Sequence, residues 1–341
     1  MSALINKVAP VLVTGGSGFL GSWCVQTLLA RGYLVHTTVR SAEKAAFLHS
    51  IPGADTRLKI FSGVDLLTSG SYEEAMTGCE AVLHTASPFF FAGQTEANLV
   101  PPAVEGTRNV LTTCAKLQVK KVVLTSSMAA VYMHFGSKSG DHVFTEEDWT
   151  DEAATRANKA WYVLSKLKAE QLAWEMSREP GCPFELAVIN PSLIWGPQLP
   201  NQPHLNTSIA VTVKYFDGSV KEIENAYRAV VDVRDVADAH VALLEKGDVW
   251  GKRYVLVGSS IHFSEAYEAA RLAVPDSLKG NIPTQIAATS TPPQPVLCDN
   301  TRSRELLGLS YRSVNEMVAA TVQSCLDNGF TDGKMYSANK L

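Results

Sequence analysis

No stretch of the 341-residue chain approaches the run of about 18 apolar residues that a membrane-spanning helix needs, so a membrane role is not expected. An excess of basic charge is also missing. The 30 Lys and Arg residues against 34 Asp and Glu leave a formal net charge of -4. Such a chain has no general attraction to nucleic acid or to an anionic membrane surface, and any charge that binds phosphate must be local. The 6 cysteines, at positions 24, 79, 114, 182, 298 and 325, form no C-x-x-C pair and have no histidine cluster beside them. That spacing predicts no metal site. Residues Met1 to Pro10 carry no basic run followed by an apolar core of signal length, so the cysteines read as reduced thiols in a cytoplasmic compartment. The C-terminal Asn339-Lys340-Leu341 differs from the peroxisomal Ser-Lys-Leu address at its first position. A frayed tail is the main reading there and import into a peroxisome-type organelle the minor one.

Hydrophobic residues make up 46% of the chain, enough for one large domain or for a domain with a smaller lobe. The first half alternates short β-branched runs with amphipathic stretches. Strands are expected at Val11 to Thr14, Leu34 to Val39, Leu58 to Phe61, Ala81 to His84, Lys121 to Thr125 and Phe184 to Asn190. Helices are expected over Phe19 to Arg31, Glu105 to Leu117 and Ala160 to Arg178, with a strand-like start and a helix over Val230 to Glu245. Alternating strand and helix predicts an α/β fold, a doubly wound parallel Rossmann sheet covered on both faces. Residues 191–230 are rich in Pro, Asn and Gly and look like a segment that leaves the sheet. The expected plan is a dinucleotide-binding domain of residues 1–190 and 231–258, a smaller C-terminal substrate lobe of 191–230 and 259–330, and a tail of 331–341.

Thr14-Gly15-Gly16-Ser17-Gly18-Phe19-Leu20-Gly21 follows a predicted strand and opens a predicted helix. Glycines in that context permit a tight turn and let the backbone approach a pyrophosphate at the helix N-terminus. Gly15, Gly18, Phe19, Leu20 and Gly21 are therefore candidate cofactor contacts. The second strand ends in Val39-Arg40, with Lys44 one turn further on. A carboxylate at this point would hold the ribose hydroxyls of NAD. Arg40 and Lys44 instead suit the 2′-phosphate of NADP(H), the expected cofactor.

Tyr162 and Lys166 stand at i and i+4 on a predicted helix, which puts both side chains on one face. An ammonium beside a phenol lowers its pKa, and the phenol can then exchange a proton with a carbonyl oxygen. Thr125-Ser126-Ser127 closes the fifth predicted strand, where open α/β sheets bind ligands. One of the two serines could hold the substrate oxygen while the other caps the strand end. Phe89 and Phe90, with Tyr132 and Tyr215, are candidate walls of an apolar pocket; Trp149 and Phe216 are weighed with them, against ordinary packing in each case.

Jointly these residues resemble the extended short-chain dehydrogenase/reductases over nearly the whole chain. The nearest likeness is to the dihydroflavonol reductase-like branch that includes cinnamoyl-CoA reductases and other carbonyl reductases. The matching pieces include Thr14 to Gly21, Val39-Arg40, Asp65-Leu66, His84 to Ser87, Gly106-Thr-Arg-Asn109, Leu124 to Ser127, Tyr162 to Lys166, Asn190-Pro191 and Val231 to Ala237. The resemblance implies that Ser127 is the catalytic serine, Tyr162 the acid/base and Lys166 its electrostatic partner. It further implies adenine contacts from Asp65 and Leu66, a cofactor lining of Thr85, Ala86 and Ser87, Pro191 against the nicotinamide, and pro-S hydride transfer. Cinnamoyl-CoA reductases carry Asn-Trp-Tyr-Cys-Tyr around the tyrosine, whereas this chain has Lys159-Ala-Trp-Tyr162-Val-Leu. Plant dihydroflavonol reductases place Asn or Asp where Tyr132 stands.

The expected activity is NADPH-dependent reduction of a hydrophobic or aryl aldehyde or ketone by a monomer or homodimer. The expected partner is a small-molecule carbonyl substrate, with no nucleic acid or membrane. Alternatives are a hydroxysteroid dehydrogenase or nucleotide-sugar enzyme of the same fold, and a non-catalytic NADP-sensing regulator. Retention of both Tyr162 and Lys166 weighs against the last.

Overall fold

A computed structural model describes residues 5–87, 93–133, 140–202, 205 and 207–330, but not the side chains of Thr207, Ser208 and Val211. In chain order the first elements are β1 (Val11–Thr14), α1 (Phe19–Ala30), β2 (Val35–Val39), α2 (Ala54–Arg57), β3 (Leu58–Ser62), α3 (Glu73–Met76) and β4 (Ala81–His84). Next come α4 (Glu96–Lys116), β5 (Lys121–Thr125), α5 (Glu152–Ala157), α6 (Trp161–Ser177), β6 (Glu185–Pro191), β7 (Leu193–Trp195), α7 (Thr207–Val213) and β8 (Tyr227–Asp232). The chain continues through α8 (Val233–Leu244), β9 (Arg253–Leu256), β10 (Ser259–His262), α9 (Phe263–Ala273), α10 (Asp276–Lys279), α11 (Thr301–Leu307) and α12 (Val314–Asp327).

Seven parallel strands form the main sheet in the order β3-β2-β1-β4-β5-β6-β9. This is a Rossmann-like α/β fold. All residues of β1 and β4 are buried, as expected for a sheet covered on both faces. One face carries a core of Leu12, Val82, Val122, Leu124, Leu186 and Val188 under Met76, Val110, Cys114 and Trp174, supplied by α3, α4 and α6. Near the other helices, Arg31 at the end of α1 bonds Asp238 of α8 and Glu245 just beyond it. The strand order reverses between β1 and β4, so the loops leaving these two strands flank a crevice at their C-terminal ends.

The chain divides into two compact units. One runs up to Pro191 and includes Ala237–Leu256 and Asp299–Leu309; the other comprises Ser192–Val236, Val257–Cys298 and the chain from Ser310. This division departs from the expected boundaries in two places. The strand expected near Val230 does not join the main sheet: β8 pairs with β7 and β10 in a separate three-stranded sheet. Residues 299–309 belong to the first unit because α11 packs on β9. The seventh main strand, β9, is four residues long and carries Arg253, and no apolar alternation marked it in the sequence.

Helix α4 starts at Glu96, nine residues before its expected start. Thr95 and Asn98 close a capping box at its N-terminus, and the helix continues through Pro101 and Pro102. Two prolines in the second turn ordinarily interrupt a helix. Both are incompletely buried, so water can satisfy the carbonyls left without donors.

Within the second unit, the acidic residues of the motif that begins at Val231 are held in ion pairs. The buried Asp232 carboxylate accepts from the backbone N–H and guanidinium of Arg234. Asp235 accepts from the backbone N–H and guanidinium of Arg312.

Candidate functional site

The glycine-rich turn leaves β1 and enters α1 without a side-chain cap, and no acidic residue occupies the first turn of that helix. Gly15 N–H is tied to Thr38 Oγ1 at 3.3 Å, and Gly18 N–H to the Gly15 carbonyl at 2.9 Å. The first intrahelical bond is Ser22 N–H to the Gly18 carbonyl. Phe19, Leu20 and Gly21 thus open the helix with amides that have no intrahelical acceptor. A Cβ on Gly21 would lie 2.3 Å from the Gly15 carbonyl oxygen, and one on Gly16 would lie 1.9 Å from Thr37 Oγ1. Gly16 is therefore as constrained as the glycines singled out above. A backbone turn this tight, aimed from an uncapped 12-residue helix, fits a pyrophosphate.

Arg40 is exposed and Lys44 half-buried. Neither has an acidic partner among the described residues. Two cations left unpaired at the end of β2 fit a 2′-phosphate. Asp65 and Leu66 lie in the turn after β3. Asp65 accepts Leu67 N–H at 2.8 Å, and Asn109 of α4 donates to the Leu66 and Thr68 carbonyls. Asn109 thus fixes that turn from below.

Thr14 joins the glycine turn to the end of β4. Its hydroxyl oxygen accepts the N–H groups of Thr85 and Ala86, both at 3.1 Å, and stands 2.9 Å from His84 Nδ1. With two donors already directed at the oxygen, the hydroxyl proton goes to Nδ1, so the imidazole proton is on Nε2. Burial pushes His84 down to about 3, with Lys166 adding to the effect. Thr85 Oγ1 also donates to the Thr14 carbonyl. A small cavity of about 10 Å³, close to the space one water needs, is lined by His84, Ala86, Ser87, Thr107, Thr125, Ser126, Lys166 and Glu170 among others. The expected cofactor lining and the lysine of α6 therefore meet at the ends of β4 and β5.

The two serines after β5 take different tasks. Ser126 is buried and donates to Glu170 Oε2 at 2.6 Å. Ser127 caps the 3-10 turn Met128–Ala130 by accepting Ala129 N–H at 3.1 Å, and its side chain also hydrogen-bonds Tyr162. Burial raises Tyr162 to about 12, while Ser127 lowers it and Tyr132 raises it. The depression expected from a neighbouring ammonium is not among the effects on Tyr162; desolvation dominates, and Tyr162 keeps its proton at neutral pH. Burial lowers Lys166 to about 8, opposed by Glu170. Pro191 closes β6 beside Leu256 of β9 and is buried.

Sequence reasoning missed the residues behind this group. Glu170 follows Lys166 by one further turn and is fully buried. Its Oε1 accepts Arg253 Nε at 2.6 Å and Trp174 Nε1 at 3.3 Å; its Oε2 accepts Ser126 and Asn190 Nδ2, the latter at 2.7 Å. Arg253 stacks on Trp149 at 3.8 Å and donates to the carbonyls of Glu146 and Asp148. The continued i+4 spacing after Lys166 was the one available signal.

The expected pocket walls fare differently. Tyr132 is half-buried, acts electrostatically on Tyr162 and packs edge-on against Phe144. Tyr215 is corrected: it is 3% exposed and packs against Trp195, Phe263 and Tyr267 inside the second unit. Phe216 is fully buried, and Trp149 packs on the first unit's core. Phe89 and Phe90 lie outside the described residues, as does the C-terminal tripeptide.

Comparisons with known proteins show the family to which the chain belongs. The model of the NAD dependent epimerase/dehydratase family matches residues 11–258. Cinnamoyl-CoA reductase 1 of Petunia hybrida is 38% identical over 322 residues, covering 94% of this chain and 92% of that protein. Tetraketide alpha-pyrone reductase 1 of Arabidopsis thaliana is 34% identical, covering 94% of this chain and 96% of that one. Among solved structures, the NADPH complex of Gre2 from Candida albicans superposes with a TM-score of 0.82 at 31% identity, covering 94% of this chain and 99% of that chain. The NADPH complex of the yeast methylglyoxal/isovaleraldehyde reductase Gre2 gives 0.81 at 29% identity, with the same coverage. The chain belongs to the NAD dependent epimerase/dehydratase family, on its extended short-chain dehydrogenase/reductase branch, with cinnamoyl-CoA reductases among its homologues.

Proposed function

We propose that this chain, an NADP-dependent oxidoreductase, reduces a hydrophobic or aryl aldehyde or ketone to the alcohol, with Tyr162 as the proton donor. The observation that carries the reading is the contact of Ser127 with Tyr162, one turn before Lys166, at the C-terminal end of β5. NADP(H) supplies the hydride when bound. Phe19, Leu20 and Gly21 would offer their amides to its pyrophosphate and Arg40 and Lys44 their charges to its 2′-phosphate. Asp65 and Leu66 would lie against its adenine, and Thr85, Ala86, Ser87 and Pro191 would line the rest.

Tyr162 retains its proton at neutral pH and can deliver it to a carbonyl oxygen that gains negative charge. Ser127 can hold that oxygen beside the phenol. The Lys166 ammonium stabilises the tyrosinate left behind, which matters most in a buried site. Tyr132 supplies an aromatic surface next to the phenol, in keeping with a hydrophobic substrate.

The test is consumption of NADPH, with NADH alongside, against aryl and aliphatic aldehydes and ketones. Turnover of hydrophobic carbonyls with NADPH preferred is expected. Tight NADPH binding without turnover of any carbonyl would favour a sensor instead.

A further inference from the structure

Glu170 is a fully buried carboxylate on α6, and burying it desolvates a charge that only well-placed donors offset. Four donors from four places converge on it: Arg253 of β9, Asn190 of β6, Ser126 after β5 and Trp174 of α6 itself. That grip leaves the carboxylate no rotational freedom. It also fixes the carboxylate on the helix face that carries Lys166 one turn earlier, where both residues line the same small cavity.

We infer that Glu170 is a positioning residue, the fixed counter-charge that holds the Lys166 ammonium for the reaction, with Arg253 limiting how much of that negative charge Lys166 receives. The inference rests on the reading of Lys166 given above.

The other groups around Lys166 cannot replace Glu170. His84 from β4 is neutral and lies at about 3, with its proton on the nitrogen away from Thr14. Thr125 from β5 is bonded to His240 of α8 at 2.7 Å. Tyr162 on the same helix keeps its proton. Arg253 carries a like charge and is engaged by Glu170 and by the backbone carbonyls of Glu146 and Asp148. Glu146 faces Val255 N–H and Arg302. Glu170 is thus the anion that opposes the effect of burial on Lys166.

Two substitutions in the same buried pair should then act in opposite directions. Glu170→Gln removes the counter-charge, so Lys166 loses its proton at lower pH. Arg253→Gln frees more of the carboxylate's field, so Lys166 holds its proton to higher pH. A merely structural lesion has no reason to reverse sign. Glu170→Asp keeps the charge and should leave the midpoint near that of the unaltered protein even where folding is weakened.

The experiment measures the rate at which a small amine-selective acylating reagent modifies Lys166 as a function of pH, read by peptide mass spectrometry on the full chain. The alkaline limb of kcat/KM for NADPH-dependent reduction is recorded in parallel. A midpoint displaced by about one pH unit downward in Glu170→Gln, unmoved in Glu170→Asp and displaced upward in Arg253→Gln is expected. Unchanged midpoints in Glu170→Gln, or equal displacement in Glu170→Gln and Glu170→Asp, would overturn the inference. Should Glu170→Gln not fold, Arg253→Gln decides, and a downward or absent shift there overturns it. The labelling midpoint does not require turnover. Shifts as expected in a protein that reduces no carbonyl would therefore leave the electrostatic coupling of Glu170 to Lys166 standing and remove the proposed function, with the role of that coupling in the reaction, instead.

Discussion

The cofactor end and the catalytic end of the first unit are built on opposite physical principles. At the start of α1 the chain leaves polar groups open: the helix has no side-chain cap, and Arg40 and Lys44 have no acidic partner among the described residues. At α6 almost every polar group behind the reacting side chains is spoken for, with Glu170 receiving four donors in a fully buried place. An open turn can receive a large anion from solvent. A closed network cannot, but it can hold a phenol and an ammonium in fixed relation with their proton affinities displaced. The proposed function places binding in the first region by what it leaves unsatisfied, and proton transfer in the second by what it satisfies.

Substitutions sharpen this contrast by separating the two roles. Tyr162→Phe should lower kcat by about 10²–10⁴-fold and leave the NADPH Kd within about twofold, since the phenol's contribution is to the proton; steady-state kinetics with a binding titration checks both. Gly21→Ala should do the reverse. A methyl placed 2.3 Å from the Gly15 carbonyl forces the turn apart at a cost of about 1–3 kcal/mol, so NADPH affinity should fall roughly 5- to 150-fold, read by fluorescence titration. Arg40→Asp should weaken NADPH by about tenfold or more and leave NADH nearly unaffected, because the charge is aimed at the 2′-phosphate. Equal losses for both cofactors would remove that assignment.

Smaller effects test the closed region itself. Lys166 is held at about 8 in the folded protein against an ordinary value of 10.5. Between those values the unfolded chain binds the proton and the folded one does not, so this group's contribution to stability rises with pH across the window. Lys166→Met should abolish that slope in denaturant unfolding followed from pH 8 to 10.5, while also eliminating reduction. Tyr215→Phe should have the least effect. The Tyr215 hydroxyl is buried and has no hydrogen-bond partner among the described residues, so its removal should leave stability unchanged or raise it by up to about 1 kcal/mol, with kcat/KM within twofold. A large loss of kcat/KM would return Tyr215 to the substrate wall.

The two regions also differ in how far their sequences disclose them. The glycine turn is local: one strand, one turn and one helix start lie in about twenty consecutive residues, and the geometry that needs Gly21 is made by Gly15. The placement of Tyr162 and Lys166 on one helix was likewise written in their spacing. The network behind them was not, because Ser126, Glu170, Asn190 and Arg253 are brought together by the pairing of β5, β6 and β9, which local patterns do not encode. β9 itself escaped notice because a four-residue strand with a charged first position shows no alternation. Tyr215 misled for the complementary reason: an aromatic residue in the turn after a helix carries no mark that separates a pocket wall from a core, and only the structure shows it packing on Trp195, Phe263 and Tyr267.

The account's central claim is that this chain directs hydride from NADPH to a carbonyl carbon while Tyr162 supplies the proton. It is tested most directly with NADPH deuterated at both hydrogens of nicotinamide C4 and a hydrophobic aryl ketone, comparing the unaltered protein with Tyr162→Phe and analysing the alcohol by mass spectrometry. The account predicts deuterium on the carbinol carbon with the unaltered protein and almost no alcohol with the variant. Unlabelled alcohol, or labelled alcohol formed equally fast by Tyr162→Phe, would contradict it.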